Sequence, residues 1–477
     1  MKLISMKIRI GILATVLGCL AASLNGQSDA DAFMIKQLHT TALKQGKAYT
    51  WLEHLSEQIG GRLAGSPQAE AAVRYTFAQL EELNLDTVWL QPCTVPHWER
   101  GVPEVVLVKQ EGRQPERQLN ALALGNSGAT GPNGIEGPII EVRSLDEVEL
   151  LGDKIKGGIV FFNRPMDNGE LHTFHAYGKA VDQRVYGPAK AAQYGALAAI
   201  VRSMTTRLDD NPHTGVTLFP ENVDPIPAVA ISTNDAEWLS ENLKKGHQRD
   251  VFLFTDCQDK GKASSYNVVG EIRGSTYPDE IILVGGHLDS WDVGGGAHDD
   301  GAGCVQSMDV LHLLKSVGYV PKRTIRCVLF MNEENGLGGG LAYADSAKAN
   351  NTFHLAAIES DAGGFSPRAF TMEADPSVFT GYFQQANTWL PLLEPYGLQL
   401  QTGGSGADIG PLKSQKGLLV GLRPDSNRYF DFHHTAVDRI DAVHPRELAL
   451  GAAAMASLVY LIDQYGLGST PPQKGSK

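Results

Sequence analysis

Five short segments carrying carboxylates or histidines, each placed directly after an apolar run, constrain this chain more than any other feature. Glu280-Ile281-Ile282-Leu283-Val284 reads as a strand and is followed by Gly285-Gly286-His287-Leu288-Asp289-Ser290. Ala297-His298-Asp299-Asp300-Gly301-Ala302-Gly303 comes next, after a glycine run and before a helical pattern. Ile325 to Met331 is a second strand leading into Asn332-Glu333-Glu334-Asn335-Gly336, and Ala356-Ala357-Ile358 leads into Glu359-Ser360-Asp361-Ala362-Gly363. The last segment is Tyr429-Phe430-Asp431-Phe432-His433-His434-Thr435. From Asn267 to about Tyr465 strands alternate with helices, which predicts an α/β domain. Ligand sites in open α/β sheets gather at the C-terminal ends of strands, so these segments are expected to converge.

Convergence would bring together two histidines, at least three carboxylates and one carboxylate to spare. Two zinc ions about 3.5–4 Å apart need a carboxylate bridge and nitrogen or oxygen ligands on each side. A further carboxylate must take the proton of the attacking water, and adjacent Glu333 and Glu334 suit that division into base and ligand. Asp289, two residues after His287, suits a carboxylate that orients a metal-bound imidazole. Taken singly, a strand-end histidine is usually structural, and an Asp-Asp-Gly or Glu-Glu pair is usually a turn or a helix start. Five such segments at successive strand ends point to a metal site. A serine hydrolase is disfavoured, because Gly404-Ser405-Gly406 and Asn126-Ser127-Gly128 both miss the G-x-S-x-G nucleophile turn. The sequence also contains no H-E-x-x-H and no G-x-G-x-x-G.

The remainder of the chain sets the organisation. Residues 1–26 have a basic start (Lys2, Lys7, Arg9), an apolar run from Ile10 to Leu20 and small residues after it. That is the build of a secretory signal cleaved near Gly26, so the protein is expected to be exported, either secreted or periplasmic. Val16-Leu17-Gly18-Cys19 offers an alternative, a bacterial lipoprotein signal with a lipid anchor at Cys19. No other stretch reads as a transmembrane span. Residues 27–117 and 263–467 are expected to form the catalytic domain, 118–262 an inserted β-rich module, and 468–477 a disordered tail. Cys93, Cys257, Cys304 and Cys327 are too widely spaced for C-x-x-C chemistry, and the last two lie in apolar runs as buried thiols do. With 54 acidic against 41 basic residues the formal charge is -13, which gives a polyanion nothing to bind, so no nucleic-acid partner is expected.

These motifs, together with Gly61-Arg62-Leu63-Ala64-Gly65-Ser66 near the start, resemble the zinc exopeptidases of the aminopeptidase and glutamate carboxypeptidase family. The likeness runs over nearly the whole mature chain. It implies a three-layer α/β zinc-exopeptidase fold with a central mixed sheet. The stretches Tyr186 to Ala189, Gly195 to Ala198, Ile200 to Ser203 and Pro212 to Gly215 resemble a protease-associated domain inserted in that fold. The resemblance implies two Zn²⁺ per chain, with His287 and Asp361 on one, Glu334 and His434 on the other, and Asp299 bridging. His433 is the competing choice for the slot given to His434. It further implies Glu333 as general base for a water between the metals, small unblocked peptides (mainly dipeptides) as substrates, and a homodimer. Ser405 and Asp408, in the Gly403–Asp408 loop, are candidates for gripping a substrate terminus, with Phe430 and Phe432 as pocket walls. His298 departs from the family pattern and is a candidate to reach substrate or to pack. An aminopeptidase acting on longer peptides and a non-catalytic, receptor-like relative are the alternatives; the filled ligand and base positions argue against the second.

Overall fold

The computed structural model describes residues 29–109, 116–246 and 249–468. The expected export signal with Cys19 and all of the expected tail but Gly468 lie outside the described residues. The chain forms two eight-stranded sheets. The first has the spatial order Thr87–Glu99, Gln258–Ile272, Arg323–Phe330, Tyr277–His287, Phe353–Ser360, Leu418–Pro424, Pro367–Glu373, Gln399–Thr402. Its middle four strands run parallel, while antiparallel pairings on both sides make it a mixed sheet.

Parallel strands buried on both faces read as unbroken apolar runs rather than alternating ones, which explains Ile281-Ile282-Leu283-Val284. Ile282 and Val284 join Ile325, Cys327 and Leu329 beneath the helices Ala302–Ser316 and Pro445–Tyr465. Ile281, Leu283, Val328 and Phe330 pack on the opposite face with Tyr343 and Ala347 of the helix Gly338–Ala349. The result is helix, sheet, helix. Pro445–Tyr465 is the one described helix long and apolar enough to cross a bilayer, which the sequence reading overlooked, and 78% of its apolar window is buried inside the protein. Its Gly451-Ala452-Ala453-Ala454 run lets it lie close to Ala302–Ser316; a Cβ at Gly451 would stand 2.1 Å from Gln306 Nε2. Cys93, Cys257, Cys304 and Cys327 are free and buried.

The second sheet has the order Arg117–Gln118, Val105–Val108, Asp250–Phe254, Ile135–Val142, Ile159–Phe162, Ala198–Arg202, Ala228–Ile231, Ala121–Ala123. Four of its strands are parallel, with the helices Leu145–Leu151 and Gly187–Gln193 in the connections between them. The region expected as β-rich is therefore an α/β layer. Short parallel strands need crossover segments, and the Ala-rich stretch around 189–194 supplies one. Val105–Val108 and Asp250–Phe254 pair within this sheet, whereas Gln258–Ile272 belongs to the first. The two sheets share packing: Trp98 and Trp291 enter one core of the second sheet, and Phe365, Tyr429 and Phe430 enter the other.

Candidate metal centre

Register brings the functional segments to one edge. His287 pairs with Phe330, and Gly285 with Glu359, which in turn pairs with Gly421. The strands therefore end together, and the loops after His287, Phe330 and Ser360 leave the sheet side by side. Buried Arg62 fixes the loop after His287, donating to the carbonyls of Leu288 (2.6 Å), Gly295 (2.9 Å) and Gly296 (3.0 Å). Asp438 accepts the backbone N–H groups of His298 (2.7 Å) and Asp299 (3.1 Å), so the Asp299 loop is held by a carboxylate contributed from far along the chain. Asp300 turns inward and accepts from the N–H groups of His287 (3.1 Å) and Gly303 (2.9 Å). Only glycine fits at 303, where a Cβ would meet the carbonyl of Ser360 at 1.8 Å.

The expected ligands lie together around Asp299. His287 Nε2 is 3.3 Å from Asp299 Oδ1 and 3.6 Å from Asp361 Oδ1. On the other side, His434 Nε2 is 3.2 Å from Asp299 Oδ2 and 3.1 Å from Glu334 Oε2. His433 Nε2 is farther from the same oxygen, at 3.7 Å, and its ring stacks on His434 at 3.5 Å.

The tautomers indicate a cation. His287 Nδ1 faces the carbonyl of Asp289 at 3.0 Å, and His434 Nδ1 faces the carbonyl of Thr214 at 3.2 Å. Each Nδ1 must carry the proton to donate there, which leaves each Nε2 lone pair aimed at two carboxylates. Lone pairs set against anionic oxygens repel unless a positive charge stands between them. Asp299 Oδ2 and Glu334 Oε1 are also buried with no hydrogen-bond partner. An oxygen- and imidazole-rich set of this kind fits zinc. Burial opposes protonation of His434, but Glu334 and Asp299 outweigh it and raise the imidazole to about 9, so in the absence of a metal a second proton, on Nε2, meets the same demand for positive charge.

Asp289 acts differently from the expectation. Its carbonyl, not its carboxylate, orients His287; the carboxylate Oδ1 is 3.8 Å from Nδ1. The carboxylate instead accepts the N–H groups of Asn332 (2.6 Å), Glu333 (3.0 Å) and Glu334 (3.3 Å), gathering the turn that presents both glutamates. Glu334 is buried and Glu333 is only partly so. Burial, with added repulsion from Asp361, Glu334 and Asp299, pushes the Glu333 carboxyl well above its ordinary range against the pull of His287.

The candidates for substrate contact are more dispersed. His298 is fully buried and stacked on Phe365 at 4.1 Å; its Nδ1 accepts from Gly364 N–H (3.1 Å) and its Nε2 faces the carbonyl of Ala442 (3.2 Å). Both ring nitrogens are used, so it packs rather than reaching a ligand. Phe430 is a core residue, stacked on Tyr177 at 4.8 Å, while Phe432 is half-buried beside His298. Ser405 is committed to Glu373, with Oγ 3.0 Å from Oε1. Asp408 is buried next to Glu359, and burial and that neighbour raise its carboxyl well above the usual range. Residues the sequence reading gave no role include Arg62, Asp300, Asp438 and Thr214. Arg62 lies in a quoted motif, Asp300 adjoins a candidate, and Asp438 carries no local signal at all.

Known proteins are similar to this chain over most of its length. The model of peptidase family M28 matches residues 267–459, which contain every residue of the cluster. Carboxypeptidase Q of Bos taurus is 35% identical over 423 residues, covering 88% of this chain and 85% of that protein. The crystal structure of a peptidase M28 precursor from Shewanella amazonensis superposes with a TM-score of 0.86 at 32% identity, covering 94% of this chain and all of that one. A zinc aminopeptidase from Bacillus subtilis shares the fold, with a TM-score of 0.62 at 22% identity over 87% of this chain and 94% of that one. Similarity of this extent, joined to a nitrogen and oxygen cluster suited to zinc, shows that the chain belongs to peptidase family M28 and is a zinc peptidase.

Proposed function

We propose that this chain is an exported di-zinc exopeptidase that hydrolyses small unblocked peptides, most of them dipeptides. The observation that carries the reading is the sharing of one carboxylate: Asp299 offers Oδ1 to the His287 side and Oδ2 to the His434 side. His287, Asp299 and Asp361 would hold one ion, and His434, Asp299 and Glu334 the other. Zinc bound there supplies a Lewis acid for the peptide carbonyl and an acidified water. Glu333, partly exposed beside the cluster and raised in proton affinity, accepts the proton of the attacking water and returns it to the leaving amine. Asp289 keeps that carboxylate in place through the backbone of the same turn. The second sheet is read as a protease-associated domain that shapes access, and the working form as a homodimer. Carboxypeptidase Q as a relative over most of the chain supports the exopeptidase reading. The aminopeptidase fold neighbour favours the second reading, an aminopeptidase acting on longer peptides.

The test is a panel of dipeptides with free, N-blocked and C-amidated ends, run on the zinc-loaded protein and on Glu333→Gln, with metal content measured on both. Hydrolysis of unblocked dipeptides only, lost in the variant while two zinc ions per chain remain, is expected. Equal turnover of C-amidated substrates would establish the aminopeptidase instead, and no turnover by the parent would remove the catalytic reading.

A further inference from the structure

Asp309 is a buried carboxylate with one oxygen left over. It lies in the middle of the helix Ala302–Ser316, is 0% exposed, and forms no ion pair among the described residues. Oδ1 accepts the N–H of Lys47 at 3.1 Å, just ahead of the helix Ala48–Glu53, while Oδ2 has no hydrogen-bond partner. The Lys47 ammonium lies over the Trp51 ring instead, 5.8 Å from its centroid. Burial raises the Asp309 carboxyl to about 7, against the opposing pull of the Lys47 and Ala48 N–H groups and of the Lys47 charge. A carboxylate withdrawn from water in this way is costly unless a cation completes it.

The residue borders a cavity of about 220 Å³ that opens at the surface between the end of helix 29–45, the start of Ala48–Glu53 and the first turns of Pro445–Tyr465. Gly46 makes room beside the leftover oxygen: a Cβ there would stand 3.0 Å from Asp309 Oδ2 and 2.4 Å from the Ala42 carbonyl oxygen. Two oxygens therefore flank one small space. The Ala42 carbonyl accepts the Gly46 N–H at 3.1 Å and keeps a second lone pair. The other walls are mainly apolar, from Ala42, Leu43, Ala48, Tyr49, Pro445 and Ala449. His312, one turn along from Asp309, is committed to the Gln45 carbonyl at 3.0 Å. Arg446 is exposed on the lining and forms no ion pair among the described residues.

We propose that this cavity binds a primary ammonium group carried on a short apolar chain, the chemistry of an alkylamine or of a lysine side chain. An ammonium has three donors and no acceptor, so it can meet Asp309 Oδ2 and the Ala42 carbonyl together while the apolar walls take its chain. A bare inorganic cation would leave most of the cavity unfilled. None of the lining residues belongs to the metal cluster, so the site stands apart from the peptidase chemistry. It adjoins the same framework, because the helix that carries Asp309 begins directly after the turn Ala297–Gly301 that carries Asp299.

The experiment measures binding of n-butylammonium to the zinc-loaded protein by calorimetry, with n-butanol and potassium as controls. It is run at about pH 8, where the Asp309 carboxyl is ionised. The proteins compared are the parent, Asp309→Asn, Ala449→Leu and Arg446→Gln. One saturable ammonium site per chain is expected in the parent, and neither control should occupy it. Asp309→Asn should weaken the affinity roughly ten- to a hundredfold, as loss of a hydrogen bond to a charged group requires. Ala449→Leu fills the cavity without altering charge and should weaken it by a similar factor. The thermal midpoint shows that each variant is folded; if Asp309→Asn is not, Ala449→Leu decides alone. Arg446→Gln should bind at least as tightly as the parent. Unchanged affinity in either folded variant, Asp309→Asn or Ala449→Leu, would place the amine elsewhere, on zinc for example, and overturn the assignment. So would equal binding of n-butanol, displacement of the amine by potassium, or no binding by any of the proteins. Binding that appears only in Arg446→Gln would mean that the protein's own guanidinium fills the cavity, which overturns it as well.

Discussion

Thr214 holds His434 from two directions: its carbonyl lies 3.2 Å from Nδ1, and its N–H donates to the His434 carbonyl at 3.0 Å. His434 has φ 63°, a left-handed conformation that few non-glycine residues adopt without support. A loop connecting strands of the second sheet therefore fixes both the backbone and the tautomer of a proposed zinc ligand in the segment after the helix Tyr429–Phe432.

This makes the metal site sensitive to the anchoring of that loop. Thr214 Oγ1 donates to the carbonyl of Ala123 at 2.7 Å, and the residue is fully buried. Thr214→Val keeps the volume and loses that bond. Loss of support behind a metal ligand typically weakens affinity about 10–100-fold. Zinc retention against a competing chelator is expected to fall by about tenfold for one ion, with the other unaffected. Equal retention of both would mean that Thr214 is held adequately by its backbone alone.

Asp289 should behave as an organiser of the glutamate turn. In Asp289→Asn the carboxamide keeps one oxygen to accept the three N–H groups of Asn332, Glu333 and Glu334, and its NH₂ faces donors. Glu333 and Glu334 then shift together. The expected outcome is a loss of about a hundredfold or more in kcat, in keeping with the sensitivity of catalysis to misplacements of about 1 Å. Zinc should be weakened on the Glu334 side. A fall in zinc affinity confined to the His287 side would favour the carboxylate-to-imidazole role instead.

Metal removal should also lower stability. Asp299, Asp361 and Glu334 crowd around His287 and His434, and binding of a cation to the folded state alone stabilises it by mass action. At a free concentration one hundred times Kd the gain is about 2.7 kcal/mol for each site. Chelation is expected to abolish activity and to lower the thermal midpoint by several degrees, both reversed by zinc. An unchanged midpoint would show that the folded protein binds zinc no better than the unfolded chain does, and would remove the metal site.

Part of the cluster was legible because His287, Glu334 and Asp361 sit at or just after strand ends, where apolar runs announce the strand and the polar residues after it are conspicuous. Asp299, in the turn Ala297–Gly301, and His434, after the short helix Tyr429–Phe432, are instead conspicuous as an Asp-Asp-Gly and a His-His-Thr segment. Asp438 and Thr214 are not conspicuous, since they work through backbone contacts closed only by the tertiary fold. Phe430 and His298 looked like pocket residues because they neighbour ligands in sequence, yet one residue along a chain is enough to turn a side chain into the core. The parallel strands of the second sheet were read as a β-rich module because Gly and Pro turns obscured the short helices between them.

Acid should unfold the protein through histidines held neutral. His354 is 1% exposed, with Nδ1 3.0 Å from Gln415 Oε1 and Nε2 2.8 Å from the Tyr343 hydroxyl. Burial is the main cause that lowers its pKa from 6.5 to about 4, partly offset by Gln415. The folded state therefore binds a proton less readily than the unfolded chain. Its contribution is fully present above about pH 6.5 and is lost as pH falls from there toward 4. At about 1.4 kcal/mol per pH unit, that amounts to about 3 kcal/mol over the whole window. Urea midpoints of the parent and of His354→Gln, taken at pH 7 and pH 5, isolate this effect. The parent is expected to lead at pH 7 and the gap to narrow at pH 5, because only the parent loses this proton-linked stability. A gap that widens on acidification would mean that His354 is charged in the folded protein.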